Sequence, residues 1–280
     1  MSNTGTNHRF SRVQEPVVRE LLGTSSTPGV QLRPATNRVA IAELRRVLQL
    51  PQIAHSHFLG PECWLAGGHV LRWLCGTGLR SDETKGDFDF FFPSVEALNS
   101  TLVSMLNRGF SLHGYRAFPR DMRTYIQKTV VLNAKSRGQF EKSLSPLTQE
   151  TIERLRLTCV ELLSPGGDKI QLVTRFRPSP LETINAFDIS ICQLLVDDYY
   201  LSFGLWTWND LVQNRFRVEN IVWPDGTLRR LFKYSRRGFL PYPDTAVRVS
   251  RSAIAWTVAA LQRKVVGVLG PGLPRTRYTE

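Results

Sequence analysis

The chain has 280 residues, 42% hydrophobic and 10% aromatic, which fits one domain or two small ones with a packed core and excludes wholesale disorder. Its 36 Lys and Arg against 24 Asp and Glu give a formal net charge of +12, which favours nucleic acid or a nucleotide as partner; a basic surface with no specific partner is the alternative. No run approaches the roughly 20 apolar residues of a membrane span, and the opening MSNTGTNHRFSRVQEP has no secretory-type apolar segment, so an intracellular, cytoplasmic protein without membrane contact is expected.

Residues 1–38 are rich in Ser, Thr, Asn, Gly and Pro without an apolar period and read as a loose N-terminal arm. From Val39, VAIAELRRVLQL places Val39, Ile41, Leu44, Val47 and Leu48 on one helical face, stopped by Pro51. The apolar run Cys63 to Ala66 reads as a strand; Gly67-Gly68 turns it, and a short helix follows, closed by Gly76. Asp87-Phe88-Asp89-Phe90-Phe91-Phe92 is a strand ended by Pro93, and Ser94 caps the helix that runs to Gly109. A strand-like stretch (124–132) and a polar insertion (135–150) follow.

TIERLRLTCVELL then passes from a helical turn into a strand, which the Ser-Pro-Gly-Gly-Asp turn at 164–168 joins to KIQLVTRF as a hairpin. Ser179-Pro180-Leu181-Glu182 carries a capping box with Pro in the first turn. From about Ala186 the signals read as helical. The expected division is a head at 39–185, a helical C-terminal part at 186–270 and a tail at 271–280, hence an α+β chain with a mixed β-sheet flanked by helices. Cys63, Cys75, Cys159 and Cys192 form no Cys-x-x-Cys pair and are expected as free buried thiols. His55, His57 and His113 show no metal spacing.

The chemistry is concentrated near the aspartates. Asp87 and Asp89, two apart on a strand, project to one face while the alternate phenylalanines enter a core. Like charges aimed together favour a cation between them, and hard oxygen ligands suit Mg²⁺ or Mn²⁺ with substrate phosphates; a solvated strand end is the alternative. Gly67-Gly68 at a strand-to-helix turn lets a phosphate approach the backbone at a helix N-terminus. On the helix GTLRRLFKYSRRG, Arg229, Lys233 and Arg236 or Arg237 can share a face, for contact with triphosphate or RNA or simply with solvent. Trp206, Trp208, Trp223 and Tyr234 are candidates for base stacking, with core packing the commoner fate.

The run LAGGHVLRWLCG followed by GDFDFFF resembles the head signature of the nucleotidyltransferase superfamily that includes DNA polymerase β, most closely that of CCA-adding enzymes and bacterial poly(A) polymerases. Looser likenesses in IQLVTRFR, NAFDISICQLL and DGTLRRLFKYSRRGF extend it over residues 60–240. The resemblance implies transfer of a nucleoside monophosphate from a nucleoside triphosphate to an RNA or protein hydroxyl, without a template and with Mg²⁺ or Mn²⁺. It makes Asp87 and Asp89 the metal-binding catalytic pair, and Gly67, Gly68, His69, Arg72, Arg229 and Lys233 the nucleotide-binding set.

Departures from the family's pattern are specific. Leu71 and Arg72 stand at its Arg-Asp positions, with Arg72 or His69 as substitutes. Gln171 takes the place of its third carboxylate, leaving Asp188, or secondly Asp168, to supply it. The Arg-Asp pair before Phe187 and a base-selecting motif after residue 240 are missing, so a CCA-adding specificity is not implied. The rival reading is a catalytically silent member of the fold that binds nucleic acid or a partner protein.

Overall fold

The computed structural model describes residues 38–75, 87–118, 128–133, 138, 146–221, 224–245, 247–252 and 254. The expected arm (apart from Arg38), Gly76, Trp223, most of the insertion and the tail lie outside these residues. The described strands form a mixed sheet in the order β1-β9-β8-β2-β3-β7-β6-β4-β5. They are β1 (Arg38–Ala40), β2 (Trp64–Ala66), β3 (Phe88–Phe91), β4 (Ser111–Ala117), β5 (Lys128–Val131), β6 (Leu157–Leu163), β7 (Lys169–Val173), β8 (Leu194–Val196) and β9 (Tyr200–Phe203). Neighbours are antiparallel except β3 and β7, which run parallel at its centre. Helices among the described residues include α1 (Ile41–Leu48), α2 (Gly68–Cys75), α3 (Val95–Asn107), α4 (Gln149–Leu155), α5 (Pro180–Asn185), α6 (Thr207–Val212) and α7 (Pro224–Arg236). Short strands β10 (Arg215–Phe216) and β11 (Leu240–Pro241) pair with each other on either side of α7. The fold class is therefore α+β, with a mixed sheet flanked by helices.

Local chemistry sets several boundaries. Ser94 Oγ accepts from the amide of Ala97 and Ser179 Oγ from that of Glu182, each at 3.3 Å, so both expected caps are made. The expected hairpin is β6 with β7. Alternation along β3 divides the molecule: Phe88, Phe90 and Phe92 enter the large core, whereas Phe91 packs on the other face with Trp64, Ala66, Ile184, Leu195 and Phe187. On that second face Trp64 Nε1 donates to Thr183 Oγ1 at 3.1 Å, which ties α5 over β2.

Three stretches differ from the sequence expectation. Arg38 to Ala40 is strand, because Val39 pairs with Leu201 at the sheet edge before α1 begins. β4 gave no clear signal in SLHGYRA, where a glycine and polar residues interrupt the alternation. FDISICQLLVDDYY, read as helical, forms a 3₁₀ turn (Ser190–Cys192), then β8, and a tight turn into β9. There Asp197 Oδ1 accepts from the amides of Tyr199 and Tyr200 at 2.9 and 2.8 Å, an Asx turn that closes the hairpin. The sheet thus runs past residue 185.

Among the described residues no helix is long and apolar enough to cross a membrane. All four cysteines are free and buried; burial pushes the thiols of Cys63, Cys159 and Cys192 up to about 12.

Candidate active site

A cavity of about 860 Å³ opens on the second face of the sheet. Asp87 comes to it from the residue before β3, Asp89 and Phe91 from β3, Gln171 and Val173 from β7, Cys159 from β6 and Arg116 from β4. Gly68, His69 and Arg72 of α2 form one rim, and Arg230, Lys233 and Tyr234 of α7, with Arg237 just past its end, form another. The register explains the gathering: Ala66, Asp89 and Gln171 are Cα partners across β2, β3 and β7, so the carboxylate and the amide stand side by side.

The acidic pair is held without full neutralisation. Gln171 Nε2 donates to Asp87 Oδ2 at 2.7 Å, and Arg116 reaches the same oxygen at 3.4 Å. Burial, then the neighbouring Asp87, pushes the Asp89 carboxyl up to about 7, against the pull of Arg116, Lys233 and Arg72. Two acids so placed fit a divalent cation whose remaining ligands are phosphate oxygens and water. Among the described residues no group of three or more His, Cys, Asp or Glu side chains could hold a metal by itself.

The glycine turn has a steric reason. Gly67 has φ +77°, and a Cβ there would stand 3.1 Å from Phe187 Cε1. Its amide donates to Leu194 O at 2.9 Å, so Gly67 holds the turn, while Gly68 starts α2 and faces the cavity. A Cβ on Gly68 would lie 3.2 Å from Tyr234 Oη, so this glycine lets α7 close over the start of α2. The amides of the first helical turn have no intrahelical acceptors. His69 stacks on Phe88 at 3.7 Å, and burial first, then Arg72 and His55, bring its imidazole down to about 3.

Asp188 and Asp168 are engaged elsewhere. Asp188, on the cavity wall, accepts from Thr227 Oγ1 at 2.6 Å and from Arg230 Nε at 2.9 and 3.0 Å, and so fastens α7 to the segment between α5 and the 3₁₀ turn. Asp168 accepts from Ser164 Oγ at 3.3 Å and lies 3.1 Å from His55 Nε2, away from the cavity lining. Of the face expected on α7, Lys233 and Arg237, the latter just past the helix end, line the cavity, with Arg230 in place of Arg229, which is exposed and off the lining. Trp208 and Tyr234 are buried in the core.

Sequence reasoning missed Arg116, Arg175, Arg177 and Glu161. Arg175 and Arg177 follow β7 into the cavity wall beside Arg230, and burial, then these two neighbours, lower the Arg175 guanidinium. Neither has an acidic partner among the described residues. A lone glutamate in the apolar strand LTCVELL was the available signal for Glu161.

Fold and site together define an α+β protein with a pair of aspartates set in a basic cavity beside a helix N-terminus. No family model and no curated protein matches the chain. Among solved structures it is similar to a CCA-adding enzyme with CTP, at 13% identity over 80% of this chain and 48% of that one, TM-score 0.45. It is likewise similar to the Thermotoga maritima CCA-adding enzyme complexed with tRNA, at 15% identity over 81% and 47%, TM-score 0.44. A CCA-adding enzyme with ATP is 13% identical over 85% and 52%, TM-score 0.45. The chain spans about half the length of these structures.

Proposed function

We propose that the protein is a template-independent nucleotidyltransferase that moves a nucleoside monophosphate from a nucleoside triphosphate onto an RNA hydroxyl. The observation that carries this reading is Asp87 and Asp89 projecting together into a cavity that is also lined by seven Arg and Lys side chains. A site used only to bind a polyanion gains nothing from two carboxylates aimed at its centre, because they repel the ligand unless a cation intervenes.

In the reaction the hydroxyl oxygen gives up its proton to solvent and forms a bond to the α-phosphorus, the bond from that phosphorus to the α,β-bridging oxygen breaks, and pyrophosphate leaves with the bonding pair. Bound by Asp87 and Asp89, Mg²⁺ or Mn²⁺ would supply neutralisation of charge on the attacking and leaving oxygens. The α2 amides from Gly68 onward, with Arg72, orient the triphosphate at one rim. Lys233 and Arg237 neutralise phosphate from the α7 rim, and Arg175 and Arg177 extend the positive wall toward the acceptor backbone. Arg230, held by Asp188, keeps that rim in place.

The reading is tested by incubating the protein with each of four α-labelled nucleoside triphosphates and Mg²⁺ or Mn²⁺, offering bulk RNA and cell protein as acceptors. Label on RNA is the expected result. Label on protein alone would move the acceptor class; no label and no triphosphate binding would favour the silent, polyanion-binding alternative.

A further inference from the structure

The row of side chains through Asp89 holds another acid two strands away. Asp89 is the Cα partner of Gln171 on β7, and Gln171 is that of Glu161 on β6. Glu161 has no exposed side-chain surface. Its Oε1 takes Arg116 Nε at 2.7 Å, Lys169 Nζ at 3.2 Å and Gln171 Nε2 at 3.4 Å. Its Oε2 is buried and has no hydrogen-bond partner among the described residues. An unmade hydrogen bond on a buried carboxylate oxygen opposes folding, so the pairs made at Oε1 do not account for the way Oε2 is left.

We propose that Glu161 is a positioning residue for the cation site, supplying from the adjacent strand the negative charge that Gln171 lacks. The inference rests on the nucleotidyltransferase reading, and two sets of contacts carry it. The Gln171 amide nitrogen lies between Asp87, at 2.7 Å, and Glu161, at 3.4 Å. With the N–H groups of Gln171 engaged by those two acids, its carbonyl oxygen is the atom left for another partner, and hard divalent cations accept an amide oxygen beside carboxylates. Arg116 spans the same two acids, and its shorter contact, 2.7 Å, goes to Glu161 rather than to Asp87 at 3.4 Å. Glu161 thereby holds the guanidinium, and the ammonium of Lys169, off Asp87. Without it both cations would turn to Asp87 and compete with a metal ion for that carboxylate.

The test is Mn²⁺ binding to the metal-free protein, without nucleotide, followed by electron paramagnetic resonance in the wild type, in Glu161→Gln, and in the exchange variant Glu161→Gln/Gln171→Glu. Glu161→Gln should weaken Mn²⁺ binding by about 10–100-fold, the range typical of outer-sphere partners. The exchange variant, which returns a carboxylate one strand closer, should recover most of that loss. Unchanged binding in Glu161→Gln, or a folded exchange variant as weak as the single one, would overturn the proposal. Should Glu161→Gln fail to fold, the exchange variant decides alone. A wild type that binds no Mn²⁺ would instead remove the nucleotidyltransferase reading beneath it.

Discussion

Asp210 and Asp89 are both acids drawn into the protein, and their surroundings differ in kind. Asp210, fully buried on α6, accepts from Ser190 Oγ at 2.5 Å, from Arg217 at 3.0 and 2.8 Å and from Tyr242 Oη at 3.3 Å. Arg217 is in turn held over Trp206 and Tyr242, at 4.1 and 4.8 Å from the ring centroids. Asp89 has Asp87 two residues away, against which Arg116, Lys233 and Arg72 pull only in part, and its carboxyl is pushed up to about 7. The chain can pair a buried acid closely, so a carboxyl left with its charge disfavoured beside a cavity marks a place open for a ligand.

The sharpest way to break the comparison is to neutralise each acid. Asp87→Asn with Asp89→Asn should lower transfer by well over about 100-fold, more than outer-sphere changes cause. In metal-free buffer the melting temperature of that double variant should be equal or higher, since like-charge repulsion is relieved. Asp210→Ala should do the reverse, removing about 3–5 kcal/mol of stability by stranding Arg217 while leaving turnover per folded molecule unchanged. Denaturant titration beside the transfer assay separates the two; a double variant as unstable as Asp210→Ala would make the aspartate pair structural.

A smaller effect tests the glycine turn between these extremes. At Gly67 an alanine must adopt φ +77° with its Cβ 3.1 Å from Phe187. Gly67→Ala should cost about 1–3 kcal/mol through backbone strain. Transfer should fall further than stability does, because α2 is displaced from the phosphate position. Equal activity per folded molecule would show that α2 does not contact the triphosphate.

The same contrast explains what the sequence could reveal. Asp87, Asp89 and the Gly67-Gly68 turn are local patterns, visible as alternation in one strand and a break before one helix. The rest of the site depends on register. Glu161, Gln171 and Asp89 meet because β6, β7 and β3 are neighbours, an order that the chain's succession does not disclose. Arg116 comes from β4, whose pattern is broken by His113 and Gly114, and β8 is an apolar run too short to tell from a helix by period. At α7, Lys233 and Arg237 of the expected face line the cavity and Arg230 stands there in place of Arg229, since several cations close together leave the helix orientation open until Asp188 is seen to hold Arg230.

The smallest expected effect concerns a base held uncharged on the cavity rim, the counterpart of an acid held from its usual charge. His69 is brought from 6.5 down to about 3 by burial first, then by Arg72 and His55, with Asp168 pulling weakly the other way. Because the folded value lies below the unfolded one, the neutral ring's contribution to stability is complete above pH 6.5 and is lost as pH falls from there toward about 3, the unfolded chain taking up the proton first. His69→Phe keeps a ring that can stack on Phe88 and removes the proton site. The wild type should therefore lose melting temperature relative to His69→Phe as the buffer is acidified below pH 6.5, and the two should run parallel above it. A constant difference across that range would mean that His69 accepts a proton where it stands. Its Nδ1, 3.4 Å from Arg72, would then repel the guanidinium instead of accepting from it, and Arg72 would lose the contact that holds it at the triphosphate rim.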